Sequence, residues 1–86
     1  MMDAKVRSEE KFVKLSIAYE GMQESKLVCS TVDNIISKYD IKPEMYTCNL
    51  TDKKDVLVIE YHDDVERVAG DIFDEIVKTL NIEITD

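Results

Sequence analysis

The stretch HDDVERVAGDIFDEIVKTL, residues 62–80, decides how the rest of this chain is read. Val65, Val68, Ala69, Ile72, Phe73, Ile76, Val77 and Leu80 recur at three- and four-residue spacing, which is one apolar helix face. Asp64, Asp71, Asp74 and Glu75 form an acidic stripe beside it, broken by Arg67 and closed by Lys78. Asp63 followed three residues later by Glu66 has the form of a capping box, in which each side chain satisfies an orphan backbone N–H. At the far end Asn81 suits a C-cap. Gly70 costs on the order of 1 kcal/mol against Ala in mid-helix, so a close approach by another backbone is expected there.

Just upstream, residues 44–50 and 56–61 are strand-like and joined by the polar loop Thr51-Asp52-Lys53-Lys54-Asp55, a hairpin without a tight glycine turn. Leu57, Ile59 and Tyr61 are expected to face the helices, with Val56 and Val58 on the other side. Further back, residues 12–19 alternate, with Val13, Leu15, Ile17 and Tyr19 on one face. Gly21 ends that strand. A helical pattern then runs to Tyr39 through Ser25, Val28, Cys29, Val32, Ile35 and Ile36, and Pro43 forbids its continuation.

The expected order is therefore β-α-β-β-α, with Ile82–Thr85 as an optional last strand. Right-handed crossovers turn this order into an α+β, ferredoxin-like antiparallel sheet with both helices packed on one face. The expected strand order is 4-1-3-2, which leaves strand 12–19 at an open edge if the last strand is weak. Residues 1–11 are charged and read as a flexible N-terminal arm, and 12–86 as a single domain.

The chain has 86 residues and a formal net charge of −8. Residues 1–43 carry seven Lys/Arg and seven Asp/Glu, whereas 44–86 carry four and twelve, so the second half holds all of the net charge. Phosphate recognition relies on Lys and Arg, so direct nucleic-acid binding and docking on an anionic membrane are not expected. The chain begins with a charged stretch rather than a leader, and no run approaches the length of a transmembrane helix. Two cysteines without CxxC spacing read as reduced, packed thiols of a cytoplasmic protein.

Chemistry-bearing residues are few. His62 is the only imidazole and reads as a solvated residue at a strand-to-helix turn; one His leaves little room for a zinc site. The carboxylates of 63, 64, 71, 74 and 75 lack calcium-loop spacing and read as a solvated face. No nucleophile, base and orienter converge, so neither catalytic residues nor a cofactor is expected. Phe12, Tyr46 and Tyr61 are aromatic candidates for base stacking but have no basic surround. Glu20-Gly21 stands where a small-ligand-binding regulatory domain of this topology uses its first turn, which is the alternative function.

The whole pattern from Phe12 to Leu80 resembles the CTAG/Pcc family, the small dimerisation subunit of the KEOPS/EKC tRNA-modification complex. The features that carry the resemblance are the strand closing on Ala18-Tyr19-Glu20, Ser25 and Cys29 four apart, the polar hairpin, and Asp63 followed by Arg67. Where that family commonly places an Asn-Ser pair after the Arg, this chain has Gly70-Asp71-Ile72, a departure that a diverged paralogue would show. The resemblance implies a non-catalytic subunit. It would form a homodimer, or a heterodimer with a paralogous small subunit, and pack its helices on a kinase-like ATPase that helps transfer threonylcarbamoyl to tRNA adenosine. It implies a sheet-edge role for Val13, Leu15 and Ile17, and a helix-packing role for Ser25, Cys29, Val32, Arg67, Ile72 and Ile76.

Overall fold

The computed structural model describes residues 2–9, 11–51, 53–62, 66–82 and 84. Its elements are β1 (Asp3–Glu9), β2 (Phe12–Glu20), α1 (Gly21–Ile36), β3 (Glu44–Asn49), β4 (Lys54–His62) and α2 (Glu66–Leu80). The strands form one antiparallel sheet in the order β1-β2-β4-β3. With two helices, this is an α+β fold of ferredoxin-like plan.

Alternation along the two central strands builds the core. Val13, Leu15, Ile17 and Tyr19 of β2 are buried, and β4 sets Tyr61, Ile59 and Leu57 opposite the first three. Val28, Val32, Ile35 and Ile36 of α1 close on the same cluster, as do Ala69, Ile72, Phe73, Ile76, Val77 and Leu80 of α2. Both helices therefore cover one sheet face. Burying such a side chain is worth about 1.5–3 kcal/mol each, and this single cluster is what holds the helices down.

The helix ends have local causes. Gly21 adopts φ 79°, a left-handed conformation that is strained for a residue with a Cβ. α1 ends at Ile36 rather than Tyr39, because Lys38 and Tyr39 donate to the carbonyls of Ile35 and Ile36 and tighten the last turn to three-residue spacing. Asn81 caps α2 at φ 57°: its N–H donates to Lys78 O (3.2 Å) and the Ile82 N–H to Val77 O (3.1 Å), a Schellman pair. The expected capping box involves Asp63 and the Glu66 side chain, which lie outside the described residues.

Three expectations are corrected. Residues 3–9 of the expected arm form a strand, paired along β2 from Asp3↔Ala18 to Glu9↔Phe12. Ala4 is fully buried and Val6 half-buried, which is enough apolar surface for a strand whose outer positions Asp3, Lys5, Arg7 and Glu9 are charged. This strand fills the position expected for the last one, of which only an isolated parallel bridge, Ala4↔Ile84, is seen among the described residues. Consequently β2 is paired on both sides, and the two edges of the sheet are β1 and β3. Gly70 faces open space, with no atom within 4 Å of an added Cβ, so no backbone approaches it in the monomer.

Candidate interaction site

Every residue of β3 is exposed. The strand is held to the sheet only through β4, and its main-chain pattern follows from the hairpin. Leu50 and Thr51 both donate to Lys54 O, at 2.9 and 3.2 Å, a β-bulge that makes 50/54 a closely bonded pair. Because bonded and non-bonded pairs alternate, Cys48/Val56, Tyr46/Val58 and Glu44/Glu60 are also bonded pairs. Met45, Thr47 and Asn49 therefore turn their N–H and C=O groups outward, to the free edge.

An unprotected edge is a site for strand addition. Residues 45–50, Met-Tyr-Thr-Cys-Asn-Leu, carry no charge, whereas β1 has a charged residue at every second position. Met45, Tyr46 and Leu50 are 46%, 43% and 59% exposed, which is high for side chains of this size. On the helix side of β3 an open groove of about 600 Å³ separates it from α1, lined by Cys29, Ser30, Val32, Asp33, Met45, Tyr46, Thr47 and Leu57. The groove exists because the apolar stripe of α1 runs through Val28, Val32 and Ile35 toward the other strands, leaving β3 uncovered.

Burial sorts the residues expected at interfaces. Val13, Leu15, Ile17, Val32, Ile72 and Ile76 are at most 5% exposed and belong to the core. They cannot meet a partner from the folded chain, and the backbone of 13, 15 and 17 is already used by β1 and β4. Ser25 is half-buried, and Cys29 and Arg67 are exposed. Cys29 was expected on the inward face but follows Val28 by one residue, about 100° around the helix, which carries it to the groove rim. Cys48 is exposed too, and both thiols are free. The expected order already placed strand 44–50 at an edge, but the pairing role went to 12–19 because the strand that covers it, β1, was not expected; the groove was not foreseen.

The aromatic candidates separate. Tyr61 is buried toward the helices, whereas Tyr46 is exposed on the outer face, where its ring and Ser16 flank Val58, the directly paired neighbour on both sides. Val58 is thereby buried although it points away from the core, while Val56 stays half-buried. At one end of this outer face stand Glu44, Glu60 and His62. The Tyr46 hydroxyl donates to Glu60 Oε1 at 3.1 Å, and burial together with that carboxylate raises its pKa. His62 closes β4 with its ring 6.3 Å from Phe12.

On the helix side Glu75 of α2 ties down the end of α1. It pairs with Lys38 Nζ and accepts from the Tyr39 hydroxyl at 3.1 Å. The Lys38 bond, followed by Tyr39, lowers the Glu75 pKa, and the Lys38 and Tyr39 values are raised in return. A second depression of about 630 Å³ lies at Glu20, Gly21, Met22, Ser25, Lys53 and Asp55, where the small-ligand reading located its site. Among the described residues no helix is long and apolar enough to cross a membrane. Comparison with protein-family models, curated proteins and solved structures gives no match for this chain.

Proposed function

We propose that this chain is a non-catalytic interaction subunit that associates through the open β3 edge. The observation that carries the reading is a wholly exposed edge strand, uncharged from Met45 onward, with outward main-chain groups beside an apolar groove. A second copy, or a paralogous small subunit of the same fold, fits it. With Thr47 opposite Thr47 of a second copy, Met45 falls opposite Asn49 on either side. That register gives six main-chain hydrogen bonds, two for each bonded pair. It sets Glu44 against Leu50, so like charges stay apart, and Pro43, which has no N–H, bounds it.

Six bonds at about 1 kcal/mol each offset only the lower part of an association cost of roughly 4–15 kcal/mol. Apolar burial in the α1–β3 groove has to supply the surplus. The test is mass in solution by sedimentation velocity, for the wild type and for Thr47→Pro, with circular dichroism as the check on folding. A dimer that Thr47→Pro converts to a folded monomer supports the reading; a wild type that stays monomeric at high concentration with every partner offered sinks it.

The setting we assign is a cytoplasmic, KEOPS/EKC-type tRNA-modification complex, on the resemblance of strand and helix pattern alone. There the exposed Arg67 and Cys29 and the half-buried Ser25 would face a kinase-like ATPase subunit. Failure to co-purify with such a subunit would remove the setting and leave edge pairing standing. The depression at Glu20-Gly21 favours a second reading, a small-ligand-binding regulatory domain. Thermal-shift screening with amino acids and nucleotides separates the two, since a ligand at 100 times its Kd stabilises by roughly 2.7 kcal/mol.

A further inference from the structure

We infer that Glu44, Glu60 and His62 form a binding site for a single zinc-class divalent ion on the outer sheet face, independent of the edge-pairing reading. One ligand atom from each of the three lies within 4.8 Å of the others. His62 Nε2 is 3.5 Å from Glu44 Oε2 and 3.7 Å from Glu60 Oε2. A tetrahedral ion with bonds of about 2.0–2.1 Å spaces its donors by roughly 3.3–3.4 Å. The two nitrogen–oxygen spacings therefore need to close by only a few tenths of an ångström.

The sheet register makes this cluster. Glu44 and Glu60 are directly opposed across β3 and β4, and His62 follows Glu60 by two residues on the same face. Opposed carboxylates repel, and a shared cation removes that cost. Lys14 stands in register with Glu60 on β2, yet among the described residues His62 is the one ion-pair partner of either carboxylate. The Tyr46 hydroxyl holds Glu60 Oε1, leaving Oε2 toward the imidazole. A metal ligand oriented by a hydrogen bond from its neighbour is the usual arrangement in built sites.

The donor set selects the ion. One imidazole nitrogen with two carboxylate oxygens suits zinc, cobalt and nickel rather than calcium or magnesium, which take oxygen ligands. Three protein ligands leave the remaining positions to water. Because Glu44 is the first residue of the edge strand, the ion would staple the start of β3 to β4.

Zinc chloride titration by calorimetry, and cobalt titration by visible absorption, test this on the full chain carrying Cys29→Ser and Cys48→Ser, which removes competing thiols. The expected result is one saturable ion per chain. His62→Ala and Glu60→Gln should each weaken it at least tenfold, and Tyr46→Phe by on the order of tenfold. Asp71→Asn, an exposed acid of α2 outside the cluster, should leave it unchanged. His62 and Glu44 are exposed, so His62→Ala and Glu44→Gln should keep the native circular dichroism. No saturable binding in the thiol-free chain, or equal affinity in folded His62→Ala, overturns the site.

Discussion

Replacing Tyr61 with Phe should stabilise this protein, the reverse of the usual cost of deleting a hydroxyl. Tyr61 is 2% exposed, with its ring 5.8 Å from that of Phe73, and its hydroxyl has no hydrogen-bond partner among the described residues. In the unfolded chain water satisfies that hydroxyl, so folding costs about 1–3 kcal/mol for it alone. Phe keeps the ring contacts and leaves a gap of only about 10 Å³, worth roughly 0.2 kcal/mol. The net gain is about 1 kcal/mol or more, a rise in Tm of about 4–8 °C for a domain of this size. Alkaline pH gives a second readout. Burial pushes the Tyr61 pKa from 10.0 to about 12, so the unfolded chain releases this proton first. The corresponding stability is complete below pH 10 and is lost as pH rises through about 12. Urea unfolding followed by circular dichroism should show Tyr61→Phe more stable at neutral pH and less steeply weakened above pH 10. Tyr19, Tyr39 and Tyr46 are also raised, so some slope remains. A Tyr61→Phe protein less stable by about 1 kcal/mol would mean that the hydroxyl is satisfied, and would refute the reasoning.

Gly70→Ala should stabilise the free chain by about 0.8–1.0 kcal/mol, because the site is an exposed helix position where an added Cβ meets nothing; a loss of stability in thermal melts would contradict the open geometry. Glu75→Gln should make unfolding less sensitive to acid. The Glu75 pKa lies below 4.5 in the folded chain, so its contribution is present above that value and is lost as pH falls through the lowered one. Acid titration of the unfolding midpoint checks this, and an unchanged acid profile would show that the Lys38 and Tyr39 contacts do not persist in solution.

Periodicity is a local property, and what depended on it was legible in the sequence. The buried faces of β2 and β4 follow from alternation of side chains, and that of α2 from three- and four-residue spacing. Asn81 was readable as the C-cap because few residues tolerate its left-handed backbone. β1 was not readable for two local reasons. Its inward residues Ala4 and Val6 are small and few, and it joins β2 through Glu10-Lys11, without the Gly or Asn that usually marks a tight hairpin.

That one strand covers the edge expected open at residues 12–19 and leaves β1 and β3 at the two ends of the sheet. Residues 13, 15 and 17 have the same alternation whether or not a strand lies beside them, because alternation assigns a face of the sheet and says nothing of its neighbours. Which strands lie beside β2 is decided by pairing between separate segments of the chain. The Glu44, Glu60 and His62 cluster has the same origin, since the sequence shows one lone imidazole and scattered acids. The sequence by itself determined the class of the fold and the inward faces of its elements. Only the tertiary structure decided which backbone groups are left unpaired and which side chains meet, because cross-strand register is a long-range relation that local pattern does not encode.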